Sequence, residues 1–142
     1  MSVFDGLVKY GMPLVPKLIV GRVARRYVAG ETLDDAVRTL REINHSGGMG
    51  TVDVLGEEVH EEAKATAAVD EYLQLLERIE AEKLDANISI KPTMLGLKID
   101  QALCEENLST IVSRAAEREN FVRIDMEDHT CTDGTLQRYR RM

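Results

Sequence analysis

Three short stretches of the chain alternate between apolar and mostly polar positions, at residues 51–55, 87–91 and 121–125. The even positions are Val52, Val54, Ile88, Ile90, Val122 and Ile124, all β-branched and apolar. The odd positions are Thr51, Asp53, Leu55, Asn87, Ser89, Lys91, Phe121, Arg123 and Asp125, most of them polar or charged. A period of two predicts strands with one apolar and one polar face. Between them the period lengthens to that of a helix. Ala65, Ala68, Val69, Tyr72, Leu76 and Ile79 predict a helix over 61–82, and Leu103, Leu108, Ile111, Val112 and Ala115 predict one over 101–118. Pro92 ends the second strand, because proline cannot donate to a central ladder.

Ahead of the first strand the pattern is helical only. Residues 3–12 read as a short helical or irregular lead-in. Pro16 opens a helix reaching about residue 28, with Leu18, Ile19, Val23 and Tyr27 on one stripe. Gly30 stops it. Thr32, with Asp35 three residues on, marks the next helix start, which carries Ala36, Val37, Leu40 and Ile43. Gly47, Gly48 and Gly50 close this helical segment, residues 1–46. After the third strand, Thr132 or Asp133 is expected to cap a last helix running to the end of the sequence.

From residue 47 onward the order is β-α-β-α-β-α, with strand starts roughly 34 to 36 residues apart, the rhythm of parallel βαβ units. A doubly wound sheet is covered on both faces and its strands read apolar throughout. Here only one face is apolar. That predicts three βα units of a (β/α)8 TIM barrel with a polar interior near its mouth, in an α/β chain with N-terminal helices. No GxGxxG follows a strand, which weighs against a dinucleotide fold.

Composition narrows the class. The 142 residues are 44% hydrophobic and 30% charged, as in a soluble globular domain. A net charge of −7 argues against nucleic acid as a partner, and Arg22, Arg25 and Arg26 read as a solvated helix face. Cys104 and Cys131 form no CxxC or Cys/His cluster, so no metal site is expected and the cysteines read as reduced thiols of a cytoplasmic protein. Neither a leader peptide nor a membrane span is expected from the sequence.

The candidate chemistry sits where barrel chemistry sits, at the C-terminal strand ends. Lys91 and Asp125 end adjacent strands on the polar face. Asp53 and Glu57 lie at or just past the end of the first. From the residues alone the Lys91–Asp125 pair reads as barrel chemistry at the strand ends, for instance a Schiff-base lysine with its acid/base partner, or as a buried ion pair that only holds the sheet.

At these residues the chain resembles the FAD-dependent proline dehydrogenases. The resemblance is carried by Asn87-Ile88-Ser89-Ile90-Lys91-Pro92-Thr93, by Leu95-Gly96-Leu97, by Val122-Arg123-Ile124-Asp125-Met126-Glu127-Asp128, by Leu55-Gly56-Glu57, and upstream by the run from Gly21 to Thr32. It implies a barrel with FAD over its mouth, L-proline as substrate and 1-pyrroline-5-carboxylate as product. It also implies a quinone-type electron acceptor, and with it peripheral contact with a membrane. Residue by residue, it implies that Lys91 binds the substrate carboxylate, that Asp125 is the catalytic-site carboxylate, and that Met126 lies against the flavin. Only three of eight strands are present, whereas a full barrel needs about 250 residues. The later flavin-contacting strands and the substrate-clamping arginine pair of that family have no counterpart, Arg140-Arg141 falling in the helix after the third strand. The chain is therefore expected to be an N-terminal part, inactive alone, or else a non-catalytic partial barrel that works only in an oligomer or complex.

Overall fold

The computed structural model describes residues 28–56 and 58–142. The predicted helix over 16–28 and the lead-in before it lie outside the described residues, as does Glu57. The chain divides into two compact units, residues 1–39 and 40–142. In the described part of the first, helix α1 (Leu33–His45) begins where the capping pair predicts. The Asp35 amide donates to Thr32 Oγ1 at 3.2 Å, and that hydroxyl donates to Asp35 Oδ2 at 2.8 Å. The Asp35 carboxylate thus takes the Thr32 hydroxyl, where the glutamate of the usual capping box takes the N-cap amide.

The second unit is a three-stranded parallel sheet with helices between the strands. In order these are β1 (Gly50–Asp53), α2 (Glu62–Ala81), β2 (Ala86–Ile90), α3 (Gln101–Glu117), β3 (Val122–Ile124) and α4 (Thr132–Tyr139). The spatial order is β1-β2-β3, so β2 is central. Asp53 pairs in register with Ser89, and Ser89 with Arg123, so the odd positions share one face as the alternation predicts. Arg123 lies 5.9 Å over the Phe121 ring on that same face. The strands are shorter than the pattern implies. β1 stops at Asp53, leaving Leu55 71% exposed, and β3 has only three residues.

The core lies on the apolar side. Ile88 and Ile90 are fully buried, together with Ala65, Ala68, Val69, Tyr72, Leu75, Leu76 and Ile79 of α2. Each large apolar side chain buried this way stabilises the fold by roughly 1.5–3 kcal/mol relative to exposure. Helix α3 is rotated from the expected stripe. Its buried residues are Cys104, Asn107, Leu108, Ile111 and Ala115, while Leu103 and Val112 are half-buried. The physical reason lies in the loop after β2, whose carbonyls need donors. Asn107 Nδ2 donates to the Leu95 carbonyl at 3.0 Å, and Cys104 Sγ meets the Pro92 carbonyl at 3.6 Å. A polar position is buried there because it satisfies backbone that α3 itself covers.

Two helix starts complete the picture. Asp100 caps α3, its Oδ1 accepting from the amides of Ala102 and Leu103 at 2.8 and 2.9 Å. For α4 the expected Thr132 or Asp133 cap is not observed. Cys131 occupies the cap position without a side-chain bond to the helix amides, and Thr132 Oγ1 instead donates to the Asp128 carbonyl at 3.3 Å. At the opposite end of the sheet, Asn44 bonds the Gly48 and Asp85 carbonyls at 3.0 Å each and accepts from the Asp85 amide at 2.9 Å. That clamp joins the approaches to β1 and β2.

Candidate functional site

Parallel strands put all their C-terminal ends on one rim. A side chain at the last odd position of each strand therefore meets its neighbours there. β1 contributes Asp53, the residue after β2 is Lys91, and the residue after β3 is Asp125. Because β2 is central, Lys91 stands between two carboxylates. Its ammonium is in contact with Asp53 Oδ2 and lies 4.0 Å from Asp125 Oδ2. The Lys91 side chain is 18% exposed and its partners 29% and 37%, so the row is sheltered but open on one side.

Each carboxylate is held from behind. Ser89 Oγ donates to Asp125 Oδ1 at 2.6 Å, and the Asp125 amide continues the ladder to the Ile90 carbonyl at 2.9 Å. Asp53 Oδ1 lies 3.3 Å from the Tyr72 hydroxyl, which also donates to the Ser89 carbonyl at 2.9 Å. Burial, and after it the Asp53 charge, pushes the Tyr72 phenol well above its usual value, so it stays a protonated donor.

The second layer ties three loops together. Thr93, fully buried, donates its amide to Glu127 Oε2 at 3.0 Å and its hydroxyl to Glu127 Oε1. The Glu58 amide, on a residue with φ of +53°, donates to Thr93 Oγ1 at 3.1 Å. Lys98 bridges Glu58 and Asp128, the latter at 3.4 Å. The Glu58 hydrogen bond, outweighing burial, drives the Lys98 ammonium above its usual range. The hydroxyl and amide of Thr130, with Lys98 beyond them, hold the Asp128 carboxyl below its own. Between these groups and Lys91 opens a cleft of about 380 Å³, with Met126 on its wall.

The structure thus brings Lys91, Asp125 and Met126 to one cleft. Asp53, noted in sequence only as lying at the strand end, is the nearer partner of Lys91. Ser89 was visible as an odd-face residue. Tyr72 falls on the buried helix stripe of the sequence pattern, and its hydroxyl, which needs a partner when buried, is the signal of a further contact. The Thr93–Glu127 and Lys98–Glu58–Asp128 contacts join loops whose approach no spacing encodes.

With this geometry in view, comparison with known proteins is specific. The proline dehydrogenase family model matches residues 36–142. The chain belongs to the proline dehydrogenase family. Proline dehydrogenase 1 of Bacillus subtilis subsp. natto is 37% identical over 118 residues, which are 83% of this chain and 39% of that protein. Proline dehydrogenase of Deinococcus radiodurans is 33% identical over 123 residues, 84% of this chain and 40% of that one. The chain spans about two fifths of the length of these curated relatives. Among solved structures, proline utilization A (PutA) from Bdellovibrio bacteriovorus inactivated by N-propargylglycine superposes with a TM-score of 0.69. It shares 22% identity and covers 80% of this chain and 14% of that one. The shared fold includes the parallel α/β arrangement that carries the Lys91 rim.

Proposed function

We propose that residues 47–142 supply the first three βα units of a (β/α)8 proline dehydrogenase barrel, with residues 1–46 as a helical segment before it. In this reading the rim binds L-proline, which the complete enzyme oxidises to 1-pyrroline-5-carboxylate. The observation that carries it is the Lys91 ammonium held between two carboxylates at the C-terminal rim of a chain of this family. An ammonium has three N–H donors. Two face Asp53 and Asp125, and the third has no partner among the described residues, so it is available to a substrate carboxylate. Asp125, fixed by Ser89, orients Lys91 and lies where the substrate ammonium would approach.

FAD is the cofactor of this reading, and the residues present fit one part of it. Met126 is 52% exposed beside Asp125 and offers an apolar surface for an uncharged ring. The carboxylates of Glu58, Glu127 and Asp128 would repel a pyrophosphate, so the phosphates would be held by other parts of the barrel. When bound, FAD supplies the hydride acceptor. This chain's residues supply placement and charge. Electrons then pass to a quinone-type acceptor, through peripheral membrane contact of a cytoplasmic protein. No helix among the described residues is long and apolar enough to cross a membrane.

A chimera tests the reading, with this segment replacing the matching part of the Bacillus subtilis relative. The isolated chain should purify colourless, and the chimera should purify yellow and bleach anaerobically with L-proline. Lys91→Met in the chimera should raise KM for proline about a hundredfold or more, the scale of losing a charge-assisted pair. A folded, yellow chimera that L-proline does not reduce would overturn the proposal.

A further inference from the structure

The pairing of β1 with β2 stops at Asp53 and Ser89. Beyond that point the phenol of Tyr72 takes the place of a backbone partner. Its proton goes to the Ser89 carbonyl, 2.9 Å away, with Asp53 Oδ1 at 3.3 Å. The ring of Tyr72 is fully buried in the α2 stripe, so its hydroxyl height is set by helix packing and not by solvent. A helix side chain thus sits where the two strands stop pairing, beside the Asp53 carboxylate that contacts Lys91. On the other side Ser89 fixes Asp125 at 2.6 Å. The contacts close into a ring: Tyr72 to Asp53, Asp53 to Lys91, Lys91 to Asp125, Asp125 to Ser89, and Ser89 back to Tyr72 through its carbonyl.

We propose that Tyr72 and Ser89 are positioning residues for Lys91, Tyr72 acting through Asp53 and Ser89 through Asp125. This deepens the reading of Lys91 as the carboxylate-binding group. A lysine side chain has four rotatable bonds and loses much entropy when ordered. Two carboxylates that are themselves pinned confine the ammonium to one place, and the remaining N–H then points into the cleft. Two loose carboxylates would follow the lysine and leave it disordered.

The test needs neither flavin nor proline, so it can fail or succeed independently of the dehydrogenase reading. Lysines of the folded chain are acylated with sulfosuccinimidyl acetate at low conversion and read by peptide mass spectrometry. Lys64, whose side chain is 65% exposed, is the internal reference. Lys91 should label about tenfold more slowly than Lys64, given its ion pairs and burial. Tyr72→Phe keeps the ring and should speed Lys91 about threefold, the factor expected when one half-exposed partner loosens, with Lys64 unchanged. Asp53→Asn should do the same. The double variant should label no faster than Asp53→Asn alone, because both changes break one chain of contacts. A purely structural role would instead multiply the two effects. Unchanged Lys91 labelling in folded Tyr72→Phe, or multiplicative effects, would overturn the proposal. If Tyr72→Phe does not fold, Ser89→Ala carries the test through Asp125, and unchanged Lys91 labelling there overturns the proposal equally.

Discussion

Replacing Lys91 with methionine keeps most of the side chain's apolar stem and removes the charge between Asp53 and Asp125. At the 4.0 Å separation from Asp125, two unit charges interact by about 4 kcal/mol at an effective dielectric of 20. That figure is an upper bound, because Asp125 is 37% exposed and water screens it. Discounted for that exposure, each pair contributes about 1 kcal/mol. The variant also loses a partner for two sheltered carboxylates that are still held by Tyr72 and Ser89, which adds repulsion. The expected net cost is about 1–3 kcal/mol, read from urea unfolding followed by circular dichroism. The part due to repulsion should fade with salt, since the screening length falls from about 10 Å at 0.1 M to about 3 Å at 1 M. Wild type should respond in the opposite sense, losing a little stability as its attractions are screened. Adding Asp125→Asn to Lys91→Met should restore much of the loss without salt, because the remaining carboxylate then faces a neutral amide. A deficit in Lys91→Met that 1 M salt leaves unchanged, with no recovery in the double variant, would refute the electrostatic account and reduce Lys91 to a packing residue.

Two further outcomes follow from the same geometry. Gly96 has φ of +98°, and a Cβ there would lie 3.1 Å from Leu103 Cδ2, so Gly96→Ala should cost about 1–2 kcal/mol and loosen the loop between β2 and α3, seen as faster amide exchange over residues 92–99. Burial pushes the Cys104 thiol up to about 11. A folded value above the ordinary one means stability is complete below pH 9 and is lost as pH rises toward 11, on the order of 2 kcal/mol, and Cys104→Ala should lack that alkaline limb in urea titrations.

Much of this site is legible from alternation alone. The odd-face placement of Asp53, Ser89, Lys91 and Asp125 needs only a period of two, and the rim needs only that the strands be parallel. The stripe of α2 is equally plain, Leu75 being the one fully buried large residue the pattern passes over. Strand order is different, because spacing says that β1, β2 and β3 neighbour one another but not how closely each carboxylate approaches the lysine. Asp53 is the nearer carboxylate to Lys91, and it stands where the pairing of β1 with β2 stops and the Tyr72 hydroxyl takes the Ser89 carbonyl. The rotation of α3 has a similar cause. Asn107 and Cys104 are buried because a loop carbonyl lies opposite each, and loop carbonyls leave no mark in side-chain periodicity. Cys131 at the start of α4 shows the same limit, since Thr132 and Asp133 are better caps by type, yet Thr132 is drawn back to the Asp128 carbonyl.

The charge layout of the cleft bears on what it can accept. Four carboxylates, those of Glu58, Asp125, Glu127 and Asp128, line it against two ammonium groups, those of Lys91 and Lys98. Lys98 is occupied by Glu58 and Asp128 at the mouth, and Glu127 by Thr93. A dianion or a bulky polyanion would meet repulsion on every side but one. A small carboxylate has a single place to go, the remaining N–H of Lys91. A group of positive charge on the same ligand would find Asp125 within reach, on the far side of Lys91 from Asp53. A compact zwitterion satisfies both demands at once, whereas a simple carboxylic acid satisfies one and brings its own charge toward Asp125 with no cation to offset it. Under the proposed function, the rim would discriminate by the second charge as much as by the first. It would then favour an α-amino acid over its hydroxy or keto analogue.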